Sequence, residues 1–368
     1  DGGRFDMEPT LQPLSPRQQT SHGPRGRSPD FDGERVSVLR IVALIAVPAL
    51  WGSYTPALKM LLDGRNVPPP VVTNLASHVV GFLSLLFLWY LQPGGAKLPE
   101  DPAERRRAMH ASLELGTYLF FGQLTQLLGL AGTSATTNAV LVQSSVVIIP
   151  LLDSAGFESR RWRTPSGFAI RMLPSTLAFG GVALITGVGA PGAGEEGENT
   201  PLGLAFSMAS AVFYAMHTLR LSAYGDVDPT VQAVGQVGVN TLIDVVALPL
   251  SALFPGGGAV AWLVSTGKGA RKRLGRAALW NGVFVVGATT WSMSYAQQAC
   301  SASTAALAYA TEPLFAAVLA AFVLGDSISS MQLAGGALVF AANVLAAIGM
   351  QNILARASSC ERHQTAFA

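Results

Sequence analysis

The chain has 368 residues, half of them hydrophobic and only 12% charged, with a mean hydropathy of +0.39. That is too apolar for a soluble domain of this length and points to an integral membrane protein in contact with the lipid bilayer. The formal net charge of +2 comes from basic residues in short clusters between apolar runs, which excludes a continuous nucleic-acid-binding face. The two cysteines, Cys300 and Cys360, are too few for a disulfide framework, and no Cys/His spacing fits a metal site.

Residues 1–36 are rich in Pro, Ser, Gly, Arg and Gln and almost free of aliphatic side chains, so they are expected to form a disordered tail. They lack the apolar core of a secretory signal, and Asp1, Asp6, Glu8, Asp30, Asp32 and Glu34 argue against an organellar transit peptide. The chain starts with Asp rather than Met, which is compatible with a processed N-terminus, and both a plasma membrane and a plastid envelope fit the sequence.

From Val38 onward ten apolar segments of spanning length follow: 38–62, 70–91, 111–131, 135–153, 172–190, 201–221, 231–254, 277–297, 303–324 and 329–350. Turn-forming pieces such as Asn66 to Pro70, Gln92 to Pro102, Pro191 to Pro201 and Pro255 to Gly258 separate them. The runs are continuous and show no ten-residue alternation, so α-helices are expected rather than a β-barrel. Lys97, Arg105, Arg106 and Arg107 follow the second segment, and Arg160, Arg161, Arg163 and Arg171 follow the fourth, which places both termini and these loops on the cytosolic side or its equivalent. Lys268, Arg271, Lys272, Arg273 and Arg276 fall on the opposite side, in a loop long enough to lie partly in the interface.

The two halves resemble each other. Residues 133–142, TSATTNAVLV, align with 300–309, CSASTAALAY, at an offset of 167, matching Ser134 with Ser301, Ala135 with Ala302, Thr137 with Thr304 and Ala139 with Ala306. Weaker matches pair Trp51 with Phe213, Thr55 with His217, Pro70 with Pro229, Thr73 with Gln232 and Ser77 with Gln236. Five spans per half is an odd number, so the second copy enters the membrane the other way up. The expected fold is an all-α membrane protein with ten transmembrane helices in two inverted five-helix repeats. The first occupies residues 37–191 and the second 201–350, with a C-terminal tail over 351–368. Inverted repeats allow inward-open and outward-open forms by exchange of conformations between halves.

The first span, ALWGSYTPALKMLL, resembles the opening Trp-Gly and later Lys of the drug/metabolite transporter superfamily, EamA type. The last two spans, ATEPLFAAVLAAFVLGDSISSMQLAGGALVFAANVLAAIG, resemble its Glu-Pro helix, Leu-Gly-Glu turn and Gly-rich final helix. Asp326 stands where Glu is usual, and Ser145-Val146 occupies the repeat position of Glu312-Pro313, so only one half carries the Glu-Pro pair. The resemblance implies transport of a small-molecule solute through a cavity between the halves, without a cofactor.

Glu312 is the central candidate, because a carboxylate in the middle of an apolar span costs at least about 2.5 kcal/mol unless it is neutral, paired or facing water. Pro313 removes the helical partner of the Tyr309 carbonyl, a way of exposing polar backbone to a cavity. Gln232, Gln236, Asn240 and Asp244 recur every four residues and share one helix face, which either lines a path or bonds a neighbouring helix. Asn74, Ser77, His78, Gly81 and Ser84 repeat this weakly. Trp51 and Tyr54, Tyr214 and His217, and Trp291 and Tyr295 supply aromatic, amphipathic walls, and Gln123, Gln126, Asn138 and Gln143 add hydrogen-bonding groups. Lys59 and Arg220 lie near span ends, where snorkelling to headgroups is expected.

Enzyme signals are poor. Gly187-Val188-Gly189-Ala190-Pro191-Gly192 follows no strand and runs into Glu195, Glu196 and Glu198, which repel phosphate. Gly267-Lys268-Gly269 lacks the rest of a P-loop, and no histidine begins an HExxH. The expected function is therefore secondary transport of a small organic solute by alternating access. An organophosphate or nucleotide-sugar exchanger would need Lys59 and Arg220 in the cavity, and a non-transporting membrane scaffold would have a closed core.

Overall fold

The computed structural model describes residues 38–54, 68–93, 97–133, 135–155, 165–186, 200–249, 258–325 and 328–346. The chain divides into two units, Asp1–Asp32 and Gly33–Ala368. The expected disordered tail, the loop glycine run from Gly187, Lys59, Asp326 and the C-terminal tail lie outside the described residues.

Among the described residues the regular structure is helical. In chain order it consists of α1 (Val38–Gly52), α2 (Pro70–Leu91), α3 (Pro102–Ala131), α4 (Ala135–Gln143), α5 (Ser145–Ala155), α6 (Pro165–Ile185), α7 (Pro201–Ala223), α8 (Pro229–Ala247), α9 (Ala259–Ser265) and α10 (Lys268–Trp280). A π-helical segment, Asn281–Ala288, leads into α11 (Thr289–Ala296), α12 (Ala302–Tyr309), α13 (Glu312–Leu324) and α14 (Ser330–Ala346). Among the described residues three stretches are long and apolar enough to cross a membrane: Val71–Leu91, Pro201–Ala223 and Ala302–Val323. Shorter apolar helices cover Val38–Gly52, Thr137–Leu152, Arg171–Ile185 and Ser330–Ala346.

The helix starts are written locally. Asp101 accepts from the Ala103 and Glu104 amides before Pro102, Thr200 from Gly203 before Pro201, and Asp228 from Thr230 and Val231 before Pro229. Each pairs an N-cap oxygen with a proline whose missing N–H would have been unpartnered anyway. Helix α13 ends at Gly325, whose φ of 75° lies in the left-handed region that glycine enters without a Cβ clash.

Small residues set the packing. α3 runs along α7 and α8, and α2 along α8 and the π segment. A Cβ on Gly116 would meet the Gln236 carbonyl and Val239, and a Cβ on Gly282 would meet the Ser77 carbonyl and Val80. Gly181 of α6 sits against the Gly335 carbonyl and Val339 of α14, while Gly335 sits against the Gly181 carbonyl and Ile185. Such glycines let backbones approach closely where apolar burial between helices gives no drive in lipid. The largest buried cluster joins Val146 and Ile149 of α5, Val182 of α6, Ala215 of α7, Ala306 and Leu307 of α12 and Val339 of α14.

Three expected continuous helices are interrupted. The 135–153 segment breaks at Ser144, the 303–324 segment at Ala310–Thr311, and the 277–297 segment contains the π turns. Pro313 acts here as a first-turn residue of a new helix rather than as a kink inside one.

A candidate solute site at two helix breaks

The two breaks are built alike. Ser144 donates its amide to the Leu141 carbonyl (3.2 Å) and its hydroxyl to the same oxygen (2.5 Å), and its own carbonyl accepts from Val147 (2.9 Å) and Ile148 (3.0 Å). Thr311 donates its amide (3.1 Å) and hydroxyl (2.6 Å) to Ala308, and its carbonyl accepts from Leu314 (3.0 Å) and Phe315 (3.2 Å). Every pair of partners is separated by 167 positions, the offset at which residues 133–142 align with 300–309. A Ser or Thr hydroxyl bonding back to a preceding carbonyl competes with the helical ladder and marks a bend or stop. That signal, Ser144 and Thr311 at the repeat spacing, was present in the sequence but not read.

Glu312, half-buried, opens α13 just after the second break. Its Oε2 accepts from Gln143 Nε2 at 3.2 Å, and Gln143 closes α4 just before the first break. A carboxylate in the first turn of a helix also lies at the positive end of the helix dipole. Gly52, at the end of α1, packs on the Glu312 carbonyl, the Phe315 Cβ and the Ala316 amide, so α1 closes over the same point. Trp51 meets Tyr309 edge to face, with centroids 5.4 Å apart. Tyr54 lies just past α1 with 36% of its surface exposed. The Tyr309 hydroxyl accepts from Gln297 (3.0 Å), which in turn accepts from Ser222 (2.9 Å).

The other candidates do not join this group in one lining. Tyr214 donates to Gln126 Oε1 (2.7 Å) with its ring against Gly122. His217, 2% exposed, pairs with Gln236 (2.8 Å), and Gln236 donates to Ser294 (3.2 Å). Asn138, 3% exposed, donates to Ser207 (2.8 Å) and to the Gln126 carbonyl (3.3 Å). Trp291 donates to Thr230 (3.0 Å) and stacks on Tyr295 at 5.2 Å, with Arg40 over the Tyr295 ring at 5.4 Å. Gln123 and Asp244 belong to a separate chain with His78 and Asn240. The polar face of α8 is thus engaged by neighbouring helices: Gln232 donates to the Tyr224 carbonyl (3.2 Å), and Gln236, Asn240 and Asp244 each have side-chain partners.

Arg220 does not snorkel alone. Its guanidinium grips Glu114 at 2.6 and 2.9 Å, and Tyr224 donates to the same carboxylate at 2.6 Å. Pairing neutralises both charges and fixes α3 against α7. Glu114 was not singled out in the sequence, although an acid inside the 111–131 segment is itself a signal. Nearby, Arg107 holds Asp226 at 2.5 and 2.7 Å, and that hydrogen bond raises the Arg107 pKa further above its usual range. A surface cavity of about 340 Å³ is lined by His110, Leu113, Glu114, Thr117, Tyr118 and Tyr224, none of them among the expected solute contacts. Among the described residues, no cluster of His, Cys, Asp and Glu could hold a metal ion.

The comparisons bear on the fold and the family. The family model for the EamA-like transporter family matches residues 201–348. A search of curated proteins returned no match. A solved crystal structure of a protein superposes with a TM-score of 0.63 at 14% identity, covering 87% of this chain and 99% of its own, a likeness of fold. Residues 201–348 are an EamA-like domain of the drug/metabolite transporter superfamily, carried by a multi-pass integral membrane protein.

Proposed function

We propose that the protein is a secondary transporter of a small organic solute, working by alternating access between two inverted halves, residues 37–191 and 201–350, of five spans each. The observation that carries this reading is the Glu312–Gln143 contact, in which a carboxylate opening one broken helix faces the amide closing the other. Helix breaks inside apolar segments leave polar backbone that only protein or a water-lined path satisfies, and broken helices of this kind form midplane sites in transporters.

The inverted repeat is supported by contacts that recur across the halves. Gly116 against Gln236–Val239 and Gly282 against Ser77–Val80 are the same contact with the halves exchanged, since Ser77 and Val80 stand 159 positions before Gln236 and Val239. Gly181 and Gly335 exchange equivalent contacts where α6 crosses α14. Glu312 anchors the polar end of the solute, with Gln143 orienting it, while Trp51, Tyr54 and Tyr309 flank its apolar body. Tyr214, His217, Gln123, Asn138, Trp291, Tyr295 and Asp244 serve the site by holding its helices rather than by touching the solute. Arg220 is committed to Glu114, which weakens the phosphate-exchanger alternative.

The test starts from a thermal-shift screen of amino acids, amines and organic acids, because a bound ligand stabilises the folded state by mass action. Uptake of the hit into proteoliposomes then compares wild type with Glu312→Gln. Loss of uptake with an intact melting transition is expected, and unchanged uptake by Glu312→Gln would reject the assigned role.

A further inference from the structure

Helix α10 carries Lys268, Arg271, Lys272, Arg273 and Arg276 and no acid. At about 100° per residue its buried Ala270, Ala277 and Ala278 fall on one side, while the exposed Lys268, Arg271, Lys272 and Arg276 fan over the other. The alanine side packs on α2 and on the π segment, and neither of these holds an Asp or Glu. In the sequence no acid stands between Asp244 and Glu312. Among the described residues the ion pairs His78–Asp244, Arg107–Asp226 and Arg220–Glu114 leave Lys268, Lys272 and Arg276 without a carboxylate.

Exposed apolar surface flanks these charges at both ends. Before α10, the short helix α9 turns Val260, Leu263 and Val264 outward on one face, with Val264 77% exposed. Arg271 Nη2 donates to the Leu263 carbonyl at 3.2 Å, which ties α9 to α10. At the other end Leu279 is 61% exposed, and the Trp280 ring lies 4.7 Å from that of the exposed Phe284. Along the helix axis Arg276 stands about 6 Å and Lys272 about 12 Å from Trp280. A headgroup layer is about 5–8 Å thick on each side of the hydrocarbon, within reach of side chains of this length when they bend toward it.

The place of α10 in the fold sets it apart from the other basic cluster. Gly282, just past α10, packs on Ser77 and Val80 in the first half of α2. At the far end of α2, Gln92 bonds Thr230, two residues past the N-cap Asp228 and close to the Arg107–Asp226 pair. The α10 charges and Arg105, Arg106 and Arg107 thus lie toward opposite ends of α2. A bias of basic residues toward one membrane face therefore does not account for both groups.

We propose that α9 and α10 form a docking surface for anionic phospholipid. The phosphate oxygens of a headgroup accept from Lys268, Lys272 and Arg276, while its acyl chains run along Leu279, Trp280 and Phe284. Val260 and Val264 of α9 dip into the same leaflet beside it. A zwitterionic lipid offers the same phosphate but brings its own ammonium, so the unpaired cations of α10 select a net negative headgroup. The surface is separate from Glu312 and takes the lipid as a bound ligand, not as cargo.

The test is thermal unfolding of the full-length protein in detergent, titrated with phosphatidylglycerol, phosphatidylcholine or inorganic phosphate, since a ligand of the folded state raises its melting temperature. Phosphatidylglycerol is expected to raise it by a few degrees and the other two by less. Combining Lys268→Gln, Lys272→Gln and Arg276→Gln should abolish the phosphatidylglycerol effect, whereas combining Arg105→Gln with Arg106→Gln should keep it. Native mass spectrometry gives a second readout, in which the triple variant retains phosphatidylglycerol on the order of tenfold more weakly than wild type. Should the triple variant not fold, Lys272→Gln alone, at an exposed position, still has to weaken retention. Equal stabilisation by both lipids, or by inorganic phosphate, would overturn the proposal, as would a phosphatidylglycerol effect that survives in the triple variant. An effect that appears only after Glu195, Glu196 and Glu198 are changed to Gln would assign the basic face to that acidic segment of the chain and overturn it too. Glu312→Gln should keep the lipid effect, so failure of the solute-site assignment and failure of this one are separately visible.

Discussion

Gly180 and Gly181 are neighbours on α6, yet the packing predicts opposite consequences of adding one methyl group to each. A Cβ at Gly181 would lie 2.6 Å from the Gly335 carbonyl oxygen, 2.7 Å from Val339 Cγ2 and 3.0 Å from the Val339 amide. Two of these atoms are backbone, so the α6–α14 crossing must widen, and overpacking of this kind costs about 1–3 kcal/mol. A Cβ at Gly180 meets nothing within 4 Å among the described residues. There, replacement of glycine by alanine in a helix interior removes backbone freedom from the unfolded chain and gains up to about 1 kcal/mol. The two variants should therefore differ by about 1–4 kcal/mol, read as thermal unfolding of the detergent-solubilised protein, with Gly181→Ala melting below wild type and Gly180→Ala at or above it. Gly335→Ala addresses the same crossing from the other side, and combining it with Gly181→Ala should be less than additive, because the first substitution has already opened the contact. Equal shifts for Gly180→Ala and Gly181→Ala, or a Gly181→Ala protein as stable as wild type, would refute the close crossing.

The remaining predictions use the same assays. Gly116→Ala and Gly282→Ala should destabilise by similar amounts, about 1–3 kcal/mol each, since their Cβ atoms meet equivalent carbonyl and valine atoms in the two halves; a neutral result for one alone would undo the equivalence. Asn138→Leu removes the donor to Ser207 and to the Gln126 carbonyl in a buried position and should cost about 1–3 kcal/mol in thermal unfolding, so an unchanged melting temperature would contradict the bonds. Arg220→Met should destabilise more than Arg220→Met combined with Glu114→Leu, because the single change strands a carboxylate that the double change removes; the reverse order of melting temperatures would count against the pairing. Gln143→Leu should weaken solute binding in the thermal-shift assay while Gln143→Glu changes solute preference, and indifference to both would separate Gln143 from the site.

Much of the local structure was legible. Helices α7 and α8 begin at Pro201 and Pro229, close to the expected 201 and 231, whereas α3 begins at Pro102, nine residues before the expected 111, because its capped first turns are polar and capping is a matter of neighbouring residues. The Glu-Pro pair is expected in the middle of one continuous span, whereas α13 begins there, because Thr311 bonds back to the Ala308 carbonyl and stops the preceding helix. Ser144 was passed over, because a hydroxyl bonding back to a carbonyl looks in sequence like any serine in an apolar run. The four-residue polar periodicity of α8 was legible too, but its partners, on α2, α7, α3 and α11, belong to other parts of the chain.

Glu312 shows where the division falls. Sequence alone yields an integral membrane protein made of apolar helices, two similar segments 167 residues apart and a carboxylate placed where lipid would reject it. These follow from composition and spacing, which act within one segment. That Gln143, and not Ser145 at the corresponding offset, stands opposite that carboxylate, and that His78 is joined to Asp244, is visible only in three dimensions. A hydrogen bond between helices depends on their rotation and axial register. Those are set by where Gly116, Gly181, Gly282 and Gly335 allow backbones to meet, a property of paired surfaces that no single segment contains.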